Sequence, residues 1–418
     1  MNQHHRQSSP SAPVTRGPAF VRQDNEWAIY QHLLSLAPAS SPQLAESTGL
    51  SKVTVNAALS NLERLGLVEQ SGVREGSAGR APRLYMPRAR AGFVLAIDVG
   101  AAWVRGAIAD LTGQVSARLQ SPTPADPSRL VGEIVAVQRA LLADQGIAAD
   151  DVLATVFGSP GVFDAKDGRL HLAPNLPDWE RADLVPALRA ALGEETVFEN
   201  DINLAALGEQ AHGIGRGVEN FVFMSIGTGV GLGIVANGKL HRGAHGFAGE
   251  IAVLRPAPLL PVQGEGVATP DQEEASFESF AAAKGVVANA CRLGLEVSNA
   301  EAVFVAAQQG DDRALACVAE EARQLAWGLA AIIPILDPAL VVLGGGIGHS
   351  GTLLLPAIRA QLAAWLPIPV PELAISTTGT DAVLLGAIVQ GVVLARVKAF
   401  ERIGHEARAG DGARDLVG

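Results

Sequence analysis

The sequence predicts an α/β protein in which a small N-terminal winged helix-turn-helix precedes a larger body of two similar halves. Three observations carry this expectation. Short helical periodicities with recognisable caps fill residues 25–65 and lead into a Gly-rich hairpin. Beyond residue 92, a phrase of strand, glycine turn, strand, turn and strand occurs twice. Charge divides at the same place: residues 1–90 hold 10 lysines and arginines against 6 acids, a net of +4, and the remainder 22 against 37, a net of −15. A basic head on an acidic body favours nucleic acid at one end only.

With 418 residues, 48% hydrophobic and 18% charged, the chain can bury several cores and has an ordinary globular composition. Residues 1–20, with His4, His5 and many Ser and Pro, read as a disordered arm, neither signal peptide nor anchor. No stretch offers about 18 uninterrupted apolar residues, so a cytoplasmic protein without a membrane segment is expected. The longest apolar stretch, between Arg323 and Asp337, is broken by Pro334 and reads as a buried helix leading to a strand. Cys291 and Cys317 form no CxxC and read as small buried apolar residues in a reducing compartment.

In the head (residues 21–88), Asn25 to Leu36 carries Ile29, Leu33 and Leu36 at helical spacing. Ser41-Pro42 predicts a cap and first turn for a second helix bearing Leu44, Ala45 and Thr48, which stops at Gly49. Ser51 then caps a third helix whose apolar face is Val55, Ala58, Leu59 and Leu62. Its opposite face shows Lys52, Thr54, Asn56, Ser60 and Asn61, short hydrogen-bonding groups and one cation suited to bases and phosphates. A strand after Leu65, a loop from Gly72 to Gly79 and the run from Arg80 to Tyr85 complete a wing. Gly79-Arg80-Ala81-Pro82 would present Arg80 to a narrow A·T-rich minor groove. Ser51, Lys52, Thr54, Asn56 and Arg80 are therefore the candidate contacts to double-stranded DNA. The alternative is a small helical bundle for protein docking, its polar face simply solvated.

In the body, the first copy of the repeated phrase runs through strands at 93–99, 103–109 and 114–119. The second runs from Phe221 to Ile226, through Gly227-Thr228-Gly229, along Gly231 to Ala236 and through the hairpin turn Asn237-Gly238. A helix with Leu130, Ile134, Val137 and Leu141 follows the first copy.

Six further motifs occur in order: Gly158-Ser159-Pro160-Gly161; Asn175 to Trp179; Glu199-Asn200-Asp201 running on to Glu209; Ile226 to Ile234; Gly246 to Glu250; and Leu336-Asp337-Pro338 followed by Val341 to Gly346. In this combination, over roughly residues 22–400, the chain resembles the ROK family of bacterial repressors and sugar kinases. It is most similar to the sugar-responsive repressor branch, of the N-acetylglucosamine and xylose repressor kind. The resemblance implies a two-lobed actin-like ATPase (sugar kinase-like) fold, with residues 92–205 plus 382–400 as lobe 1, 206–381 as lobe 2 and 401–418 as a flexible tail. It also implies a homodimer or dimer of dimers, operator DNA as partner and a small sugar or sugar phosphate as effector.

By the same resemblance, Asn175, Asn200, Asp201, Glu250 and Glu278 would bind sugar, and Asp201 would be the base in an active kinase. Asp201 could instead simply cap a helix, Glu278 follows an atypical acidic insertion, and Trp179 could border the pocket or pack a lobe. Asp98, Gly100, Gly227, Thr228, Gly229 and Gly345 match nucleotide-binding turns. However, Ala101 and Ala102 stand where the first turn of a kinase has Gly and Thr, donors for the transferred phosphoryl group. A vestigial nucleotide site and no catalysis are therefore expected. The family's zinc is also expected to be absent, leaving no cofactor: Ala252 and Val253 replace Gly and His, and residues 256–275 contain neither Cys nor His. His241 and His245 lie nearby as surface or supporting residues.

The expected function is a sugar-responsive transcriptional regulator, most simply a repressor of carbohydrate uptake or catabolism genes, in which sugar binding between the lobes releases the operator. The competing expectation is an ATP-dependent sugar kinase with a regulatory head. The wing reading predicts that Arg80→Ala weakens operator binding and relaxes A·T preference in gel-shift titrations; unchanged affinity across salt concentrations would overturn it.

Overall fold

The computed structural model describes residues 18–73, 82–164, 166–172, 178–255 and 276–414. Arg80 and Asn175 lie outside them. The chain divides into two compact units, residues 1–92 with 396–418, and residues 93–395.

The first unit contains α1 (Pro18–Leu36), β1 (Ala39–Ser40), α2 (Ser41–Thr48), α3 (Lys52–Arg64), β2 (Val68–Val73) and β3 (Arg83–Pro87). The strands form an antiparallel sheet in the order β1-β3-β2. Helix α2 is capped by Ser40 rather than Ser41, because Ser40 has extended backbone and its N–H donates to Gln43 Oε1 at 3.0 Å. Gly49, at φ +71°, closes that helix in the left-handed conformation that glycine adopts without a Cβ penalty. Ile29, Tyr30, Leu33, Leu44, Val55, Leu59 and Leu62 are fully buried where the helices meet. Leu36, expected on the apolar face, is instead 46% exposed, since α1 ends there and Tyr30 supplies the buried bulk.

The second unit opens with β4 (Phe93–Val99), β5 (Trp103–Asp110), β6 (Val115–Pro122), α4 (Leu130–Gln145), β7 (Val152–Ser159), β8 (Val162–Asp164), β9 (Arg169–His171), α5 (Leu184–Leu192), β10 (Val197–Asn200) and α6 (Asp201–His212). It continues with β11 (Phe221–Ile226), β12 (Val230–Ala236), β13 (Lys239–Leu240), α7 (Phe277–Ala281), α8 (Ala283–Arg292), α9 (Ala300–Gln308), α10 (Asp312–Leu336), β14 (Leu340–Gly344), α11 (Gly345–Gly348), α12 (Gly351–Trp365) and β15 (Glu372–Ile375). The two large sheets have the same topology. Their orders are β6-β5-β4-β7-β10 and β13-β12-β11-β14-β15, each an antiparallel meander extended by two parallel strands. This duplication matches the repeated phrase in the sequence. Leu130, Ile134, Val137 and Leu141 of α4 are buried in the first lobe's core, as their spacing predicts.

The last helix, α13 (Ala382–Arg414), corrects the expected boundaries. It runs unbroken through residues assigned to a flexible tail, and its residues from Arg396 onward belong to the first unit. There Phe400 is buried, with its ring centroid 4.8 Å from Trp27 and 5.2 Å from Tyr30. Aromatic burial of this kind gives the chain end an anchor that a polar tail would lack. The stretch Gly379–Arg402 is long and apolar enough to cross a membrane by composition, but Ala387, Ile388, Val392 and Ala395 are buried against protein, as in a core helix.

Helix α6 is the element that sets the site. It lies on β12, whose Gly231 and Gly233 leave room for Ile202 and Ala206, and it meets α13 at Gly208 and Gly386. A methyl group at Gly233 would stand 2.7 Å from Ala206 Cβ and 2.8 Å from the Ile202 carbonyl oxygen. Gly233→Ala should therefore cost about 1–3 kcal/mol of stability in chemical denaturation; an unchanged midpoint would mean that α6 can move aside freely.

Candidate functional site

Strand β10 ends and α6 begins at Asn200-Asp201, where the backbone turns from extended to helical. The Asn200 carboxamide is largely committed to this turn. Its Oδ1 accepts from the N–H groups of Ile202 (2.9 Å) and Asn203 (3.1 Å), and its Nδ2 donates to the Gly161 carbonyl at 3.0 Å. Asn200, not Asp201, is thus the helix cap, and it pins the loop after β7 at Gly161. Asp201 uses Oδ1 to accept from the Ile202 N–H at 2.9 Å.

Four carboxylates expected at the site interact in sequence. Burial pushes the Asp98 carboxyl up to about 7, the nearby Asp201 charge adds to this, and Arg105 opposes it. Burial likewise pushes Asp201 up to about 6, aided by Glu250 and opposed by the Ile202 N–H. Glu250 is raised by burial and then by Glu278. Asp98, Asp201, Glu250 and Glu278 therefore share one electrostatic neighbourhood, with the first two contributed by one lobe and the last two by the other. Glu278 is partly engaged, its Oε2 accepting from the Val230 N–H at 3.2 Å at the end of the Gly227–Gly229 turn. Asp98 is buried and the other three acids are partly buried, and a cluster of this kind suits a polyhydroxylated ligand that donates hydrogen bonds.

On the nucleotide side, Asp98 is paired in a different way from a metal-facing acid. Arg105 sits opposite it on β5, with Nη1 at 3.2 Å from Oδ2. The turn between them is closed by Gly100 N–H to the Trp103 carbonyl at 2.9 Å, while Ala101 and Ala102 are exposed and offer no side-chain donor. A Cβ at Gly100 or Gly227 would make only ordinary contacts, at 3.9 Å from the Trp103 carbonyl oxygen and 3.7 Å from the Gly346 nitrogen. Gly345, at φ +78°, is different: a Cβ there would clash with the backbone of Ile226, so packing of α11 on β11 requires glycine whether or not a nucleotide binds. The Gly227 carbonyl is taken by the Ala283 N–H at 2.8 Å. Thr228 and Gly229 occupy the bend between β11 and β12.

Sequence reasoning missed the groups that hold these parts together. Glu199 is buried; it accepts from Asn203 Nδ2 at 2.9 Å and from Arg242 Nε at 2.6 Å. Glu209 is fully buried and accepts from the hydroxyls of Ser376 and Thr378 and from three backbone N–H groups, those of Ile214, Thr377 and Thr378. Burial works to raise its carboxyl, but these hydrogen bonds outweigh it and hold the group below the usual range. Trp179 proves to be a packing residue, 2% exposed and stacked on Phe157 at 6.3 Å.

The described residues near Glu250 do not fit a zinc site. Ile251–Val253 forms a short turn without a ligating side chain, His241 and His245 are exposed, and the two thiols lie on α8 and α10. Residues 256–275 lie outside the described residues. Among the described residues, Asp164, Asp167 and His171 of the β8–β9 hairpin come close enough to share an ion, but they include no thiolate.

In the first unit, the Ser51 and Thr54 side chains are engaged with each other, Ser51 being exposed and Thr54 partly buried. Ser51 Oγ accepts from the Thr54 N–H at 3.1 Å and lies 2.9 Å from Thr54 Oγ1, so the pair caps α3. Asn61 likewise turns inward, donating to the buried Glu26 at 2.8 Å. Lys52 and Asn56 are exposed as expected.

Comparison with known proteins gives two family matches in chain order: one described as sugar-specific transcriptional regulator TrmB, over residues 23–89, and one described as ROK family, over residues 94–390. A glucokinase of Streptomyces coelicolor is 30% identical over 318 residues, covering 71% of this chain and 96% of that protein. The xylose repressor of Bacillus subtilis is 25% identical over 349 residues, covering 82% of this chain and 88% of the repressor. A crystal structure of a ROK family transcriptional regulator, a homolog of the E. coli MLC protein, shares the fold with a TM-score of 0.74 at 22% identity, covering 91% of this chain and 99% of that one.

The acid cluster has a consequence for stability. Asp98 and Asp201 hold protons in the folded protein at pH values where the unfolded chain, with ordinary carboxyls near 4, has lost them. Stability should therefore fall as pH rises from about 4 through about 7, and Asp98→Asn should flatten the decline. Thermal unfolding between pH 5 and pH 8 measures this; an equal slope in wild type and variant would refute the assignment.

Proposed function

Because the chain belongs to the ROK family, we propose that it is a cytoplasmic, sugar-responsive transcriptional repressor of carbohydrate uptake or catabolism genes. It acts as a homodimer on double-stranded operator DNA, with a small sugar or sugar phosphate bound between the two lobes of the body. The observation that carries the reading is the presence, in one chain, of a winged head with an exposed third helix and a ROK body in which Asp201, Glu250 and Glu278 lie in one electrostatic neighbourhood. The xylose repressor relative, which aligns over 82% of this chain, supports it.

Within this reading Asp201 and Glu250 accept hydrogen bonds from sugar hydroxyls, the remaining N–H of Asn200 donates one, and Glu278 orders the turn beside them. Sugar alters operator affinity to the extent that it binds the operator-free form more tightly. The pocket works without zinc, a point that metal analysis of the purified protein checks. Phosphoryl transfer is not part of the function. Burial raises the Asp98 carboxyl to about 7 although the Arg105 guanidinium beside it opposes the rise; a carboxyl that readily takes a proton is weakened toward metal-bound phosphate, and Ala101 and Ala102 supply no hydroxyl to the transferred group.

A kinase is the second reading, favoured by the glucokinase relative and by Asp201, whose carboxyl at about 6 would suit a general base near neutral pH. One experiment separates the two. A sugar panel is screened for thermal stabilisation, and the stabilising sugar is then tested for operator release and for ADP formation. The expected result is release without ADP, with release lost and DNA binding kept in Asp201→Ala. Sustained ADP formation would establish the kinase, and induction surviving in Asp201→Ala would remove Asp201 from the pocket.

A further inference from the structure

The exposed face of helix α3 opens with an aliphatic side chain, Val53. Its exposed residues Val53, Asn56, Ala57, Ser60 and Arg64 follow one another at helical spacing and form a single stripe, opposite the buried Val55, Ala58, Leu59 and Leu62. Val53 leads this stripe and is 79% exposed. Thr54, which composition alone would choose for recognition, is turned to the Ser51 cap. Capping orders the first turn of α3 and so holds Val53 in a set position at the end of the helix that enters a major groove first.

We propose that Val53 reads the C5-methyl group of a thymine in the major groove. The inference rests on the DNA-binding reading above and deepens it by assigning a base. The thymine methyl is the aliphatic group that the major-groove edges of unmodified bases present, and small apolar side chains recognise it by contact. The neighbours on the stripe suit the same base pairs. Asn56, one turn along, has the amide geometry that pairs with adenine N6 and N7, and Ala57 keeps the helix surface low beside it. Lys52 and Arg64 are exposed cations at the two ends of the helix, where phosphates flank a groove. The recognised step is thus an A·T pair read from both sides, with Val53 responsible for the methyl.

The test uses the full-length protein and a duplex that it selects from random-sequence DNA. Each thymine of the selected half-site is replaced singly by deoxyuridine, which removes only the methyl group. Wild type should lose about fourfold in affinity per half-site at one such position, the value of one buried methyl group. Val53→Ala should bind the thymine duplex more weakly by a similar factor and be indifferent to uracil there, while Val53→Ile keeps the sensitivity. Uracil sensitivity in Val53→Ala equal to that of wild type at every position would overturn the assignment and place Val53 against sugar or phosphate instead. Failure to enrich any duplex is a separate outcome that overturns the DNA-binding reading beneath it.

Discussion

The Glu199 carboxylate joins the strand end that presents Asp201 to the loop that leads to Glu250. One of its oxygens accepts from Asn203 in the first turn of α6, and the other takes the Arg242 guanidinium at 2.6 Å. Glu199 is buried while Arg242 is almost half exposed, so loss of Arg242 would leave one oxygen of a buried carboxylate without its partner. The rest of the body is arranged around this junction. Glycines on β12 let α6 come close to the second sheet, Glu209 at its other end gathers the loop after β15, and Asn200 fastens the loop after β7. Two sheets of equal topology would otherwise meet through a flat, adjustable contact.

Such tight assembly concentrates negative charge. Burial raises Asp98 and Asp201 toward neutrality, and each acid in the series repels the next. A kinase would meet this cost with metal-bound nucleotide on one side and sugar on the other. Here Arg105 answers Asp98 from within the same sheet and opposes the rise that burial imposes.

Much of this was legible in the chain because it is local. The strands of both meanders follow from apolar runs separated by Gly turns, and the cap at Ser51 follows from a Ser placed before an amphipathic run. Even the Asp98–Arg105 pair was within reach, since a hairpin turned at Gly100–Ala102 sets these residues opposite one another. Other features were not legible. Glu26 meets Asn61 from 35 residues away, and Glu199 meets Arg242 from 43, distances at which no periodicity informs. Leu36 and the last helix show the limit from the other direction: a helix-forming pattern does not say which side finds a partner, and Phe400, expected in lobe 1, found Trp27 and Tyr30 of the first unit.

By itself the sequence determined the element types, their order, the internal duplication and the family, because backbone preference, side-chain periodicity and turn chemistry act between near neighbours. Only the tertiary structure decided which polar groups are still available. It committed Asn200, Thr54 and Asn61 to the protein's own backbone and side chains, and it left Asp201, Glu250 and Asn56 with capacity to spare. The reason is physical: each buried donor and acceptor must be matched, and the matching partners come from parts of the chain that only folding brings together.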